Sequence, residues 1–140
     1  MSDKFFVDSN IWLYAFMDTT SSKQEKAMQL LDNNDIVLST QVVNEVCANL
    51  LRKASYTEPE IQQTIENFQA RYSIFIVTTD IIRQASVLRT SYRLSYWDSV
   101  VIATAMSAKC TIVYSEDMQN GQRIDNLLTI KNPFIGCSGT

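Results

Sequence analysis

Histidine is absent from all 140 residues. That absence removes Ser-His-Asp and Cys-His catalysis, imidazole general-base chemistry, HExxH zinc sites and Cys₂His₂ fingers. Glycine is nearly as scarce. Gly121, Gly136 and Gly139 cannot compose a GxGxxG turn or a GxxxxGK[ST] loop, so Rossmann and P-loop phosphate cradles are excluded as well. The three cysteines, Cys47, Cys110 and Cys137, lie too far apart for a CxxC motif, and an odd, scattered set fits buried thiols in a reducing compartment. No apolar run approaches the ~20 residues of a membrane span. The opening Met1-Ser2-Asp3-Lys4 lacks the basic start and apolar stretch of a signal peptide. A cytoplasmic protein with no membrane association is expected, and its chemistry falls to carboxylates, hydroxyls, amides and a bound metal.

What is present is an ordinary globular mixture, 46% hydrophobic and 19% charged with a formal net charge of −3. The length suits one domain over residues 1–140, large enough to fold without a disulfide or a metal. Short apolar runs alternate with helical periods. Strands are expected at Phe5–Val7, Ile36–Leu38, Ile74–Val77, Thr111–Tyr114 and Leu127–Lys131. Helices are expected over Ile11–Phe16, Ser21–Leu31 (Ser22 and Glu25 in capping-box spacing), Ser39–Ala54, Thr57–Tyr72, Thr79–Tyr92 and from Ser95 onward. The third helix carries an apolar stripe of Val43, Val46, Cys47, Leu50, Leu51 and Ala54. Strands too apolar to alternate, separated by helices, predict an α/β fold: a three-layer α/β/α sandwich around a mainly parallel sheet. Ligands in such sheets gather beyond the carboxyl ends of the strands.

Acids stand at those positions. Asp8 follows the first strand, Asp117 follows the Thr111–Tyr114 strand, Asp98 opens an apolar helix, and Glu45 lies within the third helix. Crowded carboxylates push one another toward neutrality unless a cation compensates, and an all-oxygen set suits Mg²⁺ or Mn²⁺ better than zinc. Each acid has a structural alternative: Asp8 as a helix cap, Asp98 as the third residue of a Ser95 capping box, Asp117 as a turn residue. Glu45, with Gln41, Asn49 and Arg52 on one polar line, equally suits a solvated helix face.

Phe5-Phe6-Val7-Asp8-Ser9-Asn10, Val42-Val43-Asn44-Glu45-Val46, Tyr96-Trp97-Asp98-Ser99-Val100 and Val113-Tyr114-Ser115-Glu116-Asp117-Met118 together resemble the PIN-domain family, in its order and over about residues 4–134. The resemblance implies a PIN-like fold and a Mg²⁺- or Mn²⁺-dependent ribonuclease acting on single-stranded RNA. It further implies the toxin half of a type II, VapBC-type toxin–antitoxin pair, with a cognate antitoxin as partner. By position it implies that Asp8, Glu45, Asp98 and Asp117 bind metal and carry catalysis, with Ser9, Asn10 and Ser115 in support. Met118, Gln119 and Asn120 supply no further acid, and Glu116 is expected to point elsewhere. A PIN fold that binds nucleic acid without cleaving it, or a housekeeping RNA-processing nuclease with no antitoxin, is the alternative. A haloacid-dehalogenase-like phosphatase needs an aspartate where Asn10 stands, and Asp3 with Asp8 does not make the acidic pair of a receiver domain.

Setting the four acids aside leaves eleven against twelve Lys and Arg, a net +1 for the rest of the chain. Arg52, Arg89, Arg93 and Arg123 are the candidate phosphate contacts. Tyr92, Tyr96 and Trp97, interleaved with Arg89 and Arg93, form either a base-stacking platform or an ordinary helix end with inward rings. A homodimer is expected from the many aromatics near helix ends, among them Trp12, Tyr14, Tyr56, Tyr72 and Tyr92, and PIN-domain relatives commonly pair through helices.

Overall fold

The computed structural model describes residues 3–17, 21–33 and 35–136; Met1, Ser2, Cys137 and Gly139, invoked above, lie outside them. The elements run β1 (Phe5–Val7), α1 (Ser9–Phe16), α2 (Ser22–Leu31), β2 (Ile36–Ser39), α3 (Thr40–Lys53), α4 (Glu58–Arg71), β3 (Ser73–Phe75), α5 (Thr79–Ser91), α6 (Tyr96–Ser107), β4 (Ile112–Tyr114), β5 (Arg123–Ile124) and β6 (Leu128–Lys131). The sheet order is β3-β2-β1-β4-β6-β5, parallel except for β5 at the edge. Connections from β1 through β2 to β3 step one way across this sheet, and the connection from β3 to β4 steps back. Right-handed crossovers then place α1–α4 on one face and α5 and α6 on the other. The carboxyl ends of β1 and β4 therefore meet where the winding reverses, the place where open α/β sheets bind ligands.

Local chemistry accounts for the helices. Ser21, Ser39, Thr57, Thr78 and Ser95 each accept a backbone N–H from the first turn of the helix that follows. Thr57 and Glu60 complete a reciprocal capping box with Pro59 in the first turn. In α6, Ser99 through Ala105 are all buried, as expected of a helix covered on every side. Phe6, Val7, Ile36, Val37, Leu38, Val113, Leu128 and Ile130 form the sheet's share of the core.

Several expectations need correction. The cap of α2 is Ser21, which accepts the Gln24 N–H, rather than a Ser22–Glu25 box. The buried stripe of α3 is Val42, Val46, Cys47 and Leu50, with Leu51 exposed; the i, i+4 row through Val42 faces inward. The third strand covers Ser73–Phe75 because its partner β2 ends at Ser39, whose side chain turns to cap α3, leaving Ile76 unpaired and exposed. Strand β5, two residues long, carries too little pattern to register in a sequence. The aromatic residues offered as a dimer surface are absorbed by the core. Trp12 is 2% exposed, donates its indole N–H to the Val7 carbonyl and packs edge-on against Phe68 and Tyr72, while Tyr14, Tyr56, Tyr72 and Tyr92 are half-buried against the core. Cys47 and Cys110 are buried free thiols, and burial pushes Cys110 up to about 12, which removes it as a nucleophile at neutral pH.

Candidate active site

Parallel pairing sets Val7 beside Tyr114, so the residues that follow, Asp8 and Ser115, emerge together. The Asp8 N–H closes this edge on the Tyr114 carbonyl at 3.0 Å, and the Ser115 N–H on the Lys131 carbonyl at 3.0 Å. Asp8 occupies the N-cap of α1 in an extended conformation, so the capping role and the site role fall on one carboxylate. One Asp8 oxygen accepts the Ser9 N–H at 2.8 Å and the other accepts the Ser115 hydroxyl at 3.0 Å. Ser115 Oγ also accepts the Asp117 N–H at 3.3 Å, and Asn10 Nδ2 donates to Asp117 Oδ2 at 3.0 Å. On the other side, the Ser9 hydroxyl donates to Glu45 Oε2 at 3.0 Å and Gln41 Nε2 donates to Glu45 Oε1 at 3.1 Å. Asp8, Glu45 and Asp117 thus share one hydrogen-bonded chain through Ser9, Ser115 and Asn10.

Asp98 joins through its field. Burial of Asp8, 8% exposed, pushes its carboxyl up to about 6; the Ser9 N–H and the Ser115 hydroxyl pull it down, and the charges of Glu45 and Asp98 push it up further. Among the described residues the charges acting on Asp8 are those of Glu45 and Asp98, with no Lys or Arg to offset them. Ser95 Oγ accepts the Asp98 N–H at 3.1 Å, but among the described residues the Asp98 carboxylate makes no return bond. Asp98 is therefore not the second half of a capping box.

Carboxylates, hydroxyls and amide oxygens are the donors that hard divalent ions take, and the charge facing Asp8 is what such an ion would balance. As arranged, no group of three or more His, Cys, Asp or Glu among the described residues closes into a ligand set: Ser9 and Ser115 stand between the acids. Glu116 turns away, accepting the Tyr14 hydroxyl at 2.7 Å and pairing with Lys23. The Glu116 N–H reaches back to Asn10 Oδ1 at 3.4 Å, so this tie pins the turn that carries Asp117. Nothing in the sequence joins positions 14, 23 and 116, and the contact was not legible there.

The arginines divide. Arg52 lies on the Glu45 face of α3, within 3.5 Å of Asn49, whose amide donates to the Glu45 carbonyl. Arg89 is committed to Ser99 Oγ and to the Tyr96 ring, 4.6 Å from its centroid. Arg93 is exposed in the α5–α6 connection. Arg123 is not brought to the site. It pairs through Thr129 with the level of Ile112, the first residue of β4, whereas the acids follow the last, and its guanidinium is spent on Thr129 Oγ1 and the Asn126 carbonyl. Of the aromatics, Tyr92 turns to Asp125, while Tyr96 and Trp97 face outward beside Asp98.

The sequence matches the PIN domain family over residues 5–124. No curated protein sequence matches it. Among solved structures it is similar to a toxin–antitoxin complex from Klebsiella pneumoniae, with a TM-score of 0.70 and 20% identity over 93% of this chain and 98% of that one. It is similar to a sarcin-ricin-loop-cleaving VapC toxin of Mycobacterium tuberculosis, TM-score 0.64, 16% identity, covering 79% of this chain and 87% of that one. A VapBC complex from Rickettsia felis, solved on a DNA fragment from its promoter, gives a TM-score of 0.63 at 20% identity, covering 91% and 97%. At such identities the likeness is one of fold.

Proposed function

The chain belongs to the PIN domain family, and from that premise we propose that it is a metal-dependent endoribonuclease that hydrolyses phosphodiester bonds of single-stranded RNA, the toxin of a type II toxin–antitoxin pair. The observation that carries the reading is Asp8: a buried carboxylate at the sheet's switch point, facing Glu45 and Asp98 without a cation. Asp8, Glu45, Asp98 and Asp117 are the residues that would hold Mg²⁺ or Mn²⁺. When bound, such an ion supplies a water of lowered pKa and positive charge against the phosphate oxygens. The chain's own contribution is placement. The Ser9 N–H and Ser115 hydroxyl fix both oxygens of Asp8, Asn10 orients Asp117, and Gln41 with Ser9 fixes both oxygens of Glu45.

The Klebsiella and Rickettsia neighbours are toxin–antitoxin assemblies, which supports an antitoxin as partner. No helix among the described residues is long and apolar enough to cross a membrane, which accords with a cytoplasmic site of action. A homodimer belongs to the same proposal, and Val87, 54% exposed on the α5–α6 groove that it lines with Thr78, Asp80, Gln84 and Met106, is the position that tests it. The rival reading is a PIN fold that binds nucleic acid without cutting it. Incubation of end-labelled single-stranded RNA with the protein in Mn²⁺, Mg²⁺ or EDTA decides between them. Cleavage is expected with either metal, and is lost in EDTA and in Asp8→Asn; cleavage that persists in EDTA, or none in either metal, overturns the proposal.

A further inference from the structure

Trp97 is 62% exposed and Tyr96 beside it 49% exposed, on a helix whose residues Ser99 through Ala105 are all buried. The placement is held rather than loose. The Arg89 guanidinium lies over the Tyr96 ring at 4.6 Å while donating to Ser99 at 2.6 Å, and Tyr96 meets Trp97 edge-to-face at 5.1 Å. Whichever ring presents its edge, an edge-to-face pair leaves at least one face of the indole for a flat partner. Opposite it, the first two turns of α3 present Gln41, Asn44 and Glu45, and these three with Trp97 line an open cavity of about 430 Å³. The polar wall is incompletely used: Gln41 donates its amide N–H to Glu45, and among the described residues its carbonyl oxygen accepts no hydrogen bond and the exposed Asn44 carboxamide makes none. One wall of the cavity is the acid Glu45, and Asp98 directly follows Trp97 in the chain.

We propose that this cavity is a nucleobase subsite, taking one unstacked purine of single-stranded RNA flat on Trp97 with its polar edge toward Asn44 and Gln41. An aromatic face binds any base by stacking, and a purine offers the larger ring system to the indole. A carboxamide sets a donor and an acceptor side by side, the pattern that matches the amino and ring-nitrogen edge of adenine. The cavity's size lies within the range of small-ligand pockets. The inference rests on the nuclease reading for its substrate, and the subsite fixes which nucleotide stands next to the acids.

The two tryptophans provide the test, because Trp12 is buried and Trp97 is the exposed emitter. Protein carrying Asp8→Asn, in Mg²⁺, is titrated with single-stranded r(A)₆ and r(U)₆. We expect r(A)₆ to quench the Trp97 emission at lower concentration than r(U)₆. Anisotropy of labelled r(A)₆ should show Trp97→Ala binding about 5- to 150-fold more weakly, the range one base stack is worth. Trp97→Phe should keep binding within about threefold, and Asn44→Ala should narrow the r(A)₆ preference. Equal binding by Trp97→Ala, or emission that changes with protein concentration and not with oligonucleotide, overturns the subsite; the latter gives the ring to a second copy. The two readings fail separately. Quenching with no cleavage by the otherwise wild-type chain leaves the subsite standing without the nuclease. Cleavage of r(A)₆ by Trp97→Ala with unchanged KM leaves the nuclease standing without the subsite.

Discussion

Ser9 Oγ donates to Glu45 Oε2 at 3.0 Å, joining the first turn of α1 to the second turn of α3 across 36 positions of sequence. The same residue's N–H holds Asp8, so one serine fixes the separation of two acids. Ser9→Ala is expected to leave the fold intact and release Glu45. A hydrogen bond to a carboxylate in this partly exposed setting is worth about 1 kcal/mol. The Mg²⁺ concentration for half-maximal cleavage should therefore rise about fivefold, with a smaller change in the saturated rate. A metal titration of the rate measures it, and an unchanged half-saturation point contradicts the tether.

Asp8 links the site to stability. Its folded pKa, about 6, stands above the unfolded value near 3.8. The protonated carboxyl is therefore favoured by folding, and the stability this gives is present below about pH 4 and lost as pH rises through 6. The metal-free protein carries a penalty at pH 7 on the order of 3 kcal/mol from this residue. Asp8→Asn removes it while its amide oxygen still accepts the Ser9 N–H. Urea unfolding in EDTA should find the variant more stable by about 1–3 kcal/mol at pH 7, with the gap closing by pH 4. A variant less stable at pH 7 would mean that capping α1 outweighs charge relief.

Under the proposed function, divalent metal is expected to reverse that penalty. Mn²⁺ or Mg²⁺ should raise the melting temperature of the wild-type chain, by mass action on the folded state, and raise it less in Asp8→Asn. Thermal denaturation with and without metal reads this directly; equal shifts in both proteins would place the ion away from Asp8.

Ser115 is fully buried and serves Asp8 and the Asp117 N–H together. Ser115→Ala strands both groups and should cost about 1–3 kcal/mol. Ser115→Thr, which keeps the hydroxyl, should recover most of the bonding. Equilibrium unfolding of the pair measures the difference, and a neutral alanine would show that water satisfies both groups.

The α5–α6 groove gives a cheaper test of the dimer. Light scattering at micromolar concentration should give twice 15.9 kDa, and Val87→Arg should halve it. A mass of 15.9 kDa that does not change on concentrating the wild-type sample contradicts it.

The fold class and the starts of α3, α4 and α6 were legible because they rest on local chemistry: apolar runs of strand length, Ser or Thr at N-caps, and the Thr57–Glu60 box. What was not legible depends on neighbours. Ile76 and Val77 read as strand until β2 is seen to end at Ser39. Arg123 reads as a phosphate contact until the register of β5 sets it at the far end of β4. The acids at strand ends were readable from position, since Asp8 and Asp117 each follow an apolar run. Their joining by Ser9, Asn10 and Ser115 depends on which strands are neighbours, and for that the sequence offered only the family's pattern. Trp97 could be read as inward or outward, and the fold, which buries Ser99 through Ala105 of α6, leaves it outward.

The reversal of winding between β1 and β4 has a mechanical consequence. Glu45 rides on the helical layer of one sheet face and Asp98 on the layer of the other, with Asp8 on the strand edge between them. Glu45 and Asp98 therefore face Asp8 from helices on opposite sides of the sheet edge. Interiors packed at crystal-like density transmit small displacements, so trimming Leu50 beneath α3 or Ile102 within α6, each fully buried, would retune the spacing of the acids from a distance. The proposed reactivity would in this sense be gauged by the core.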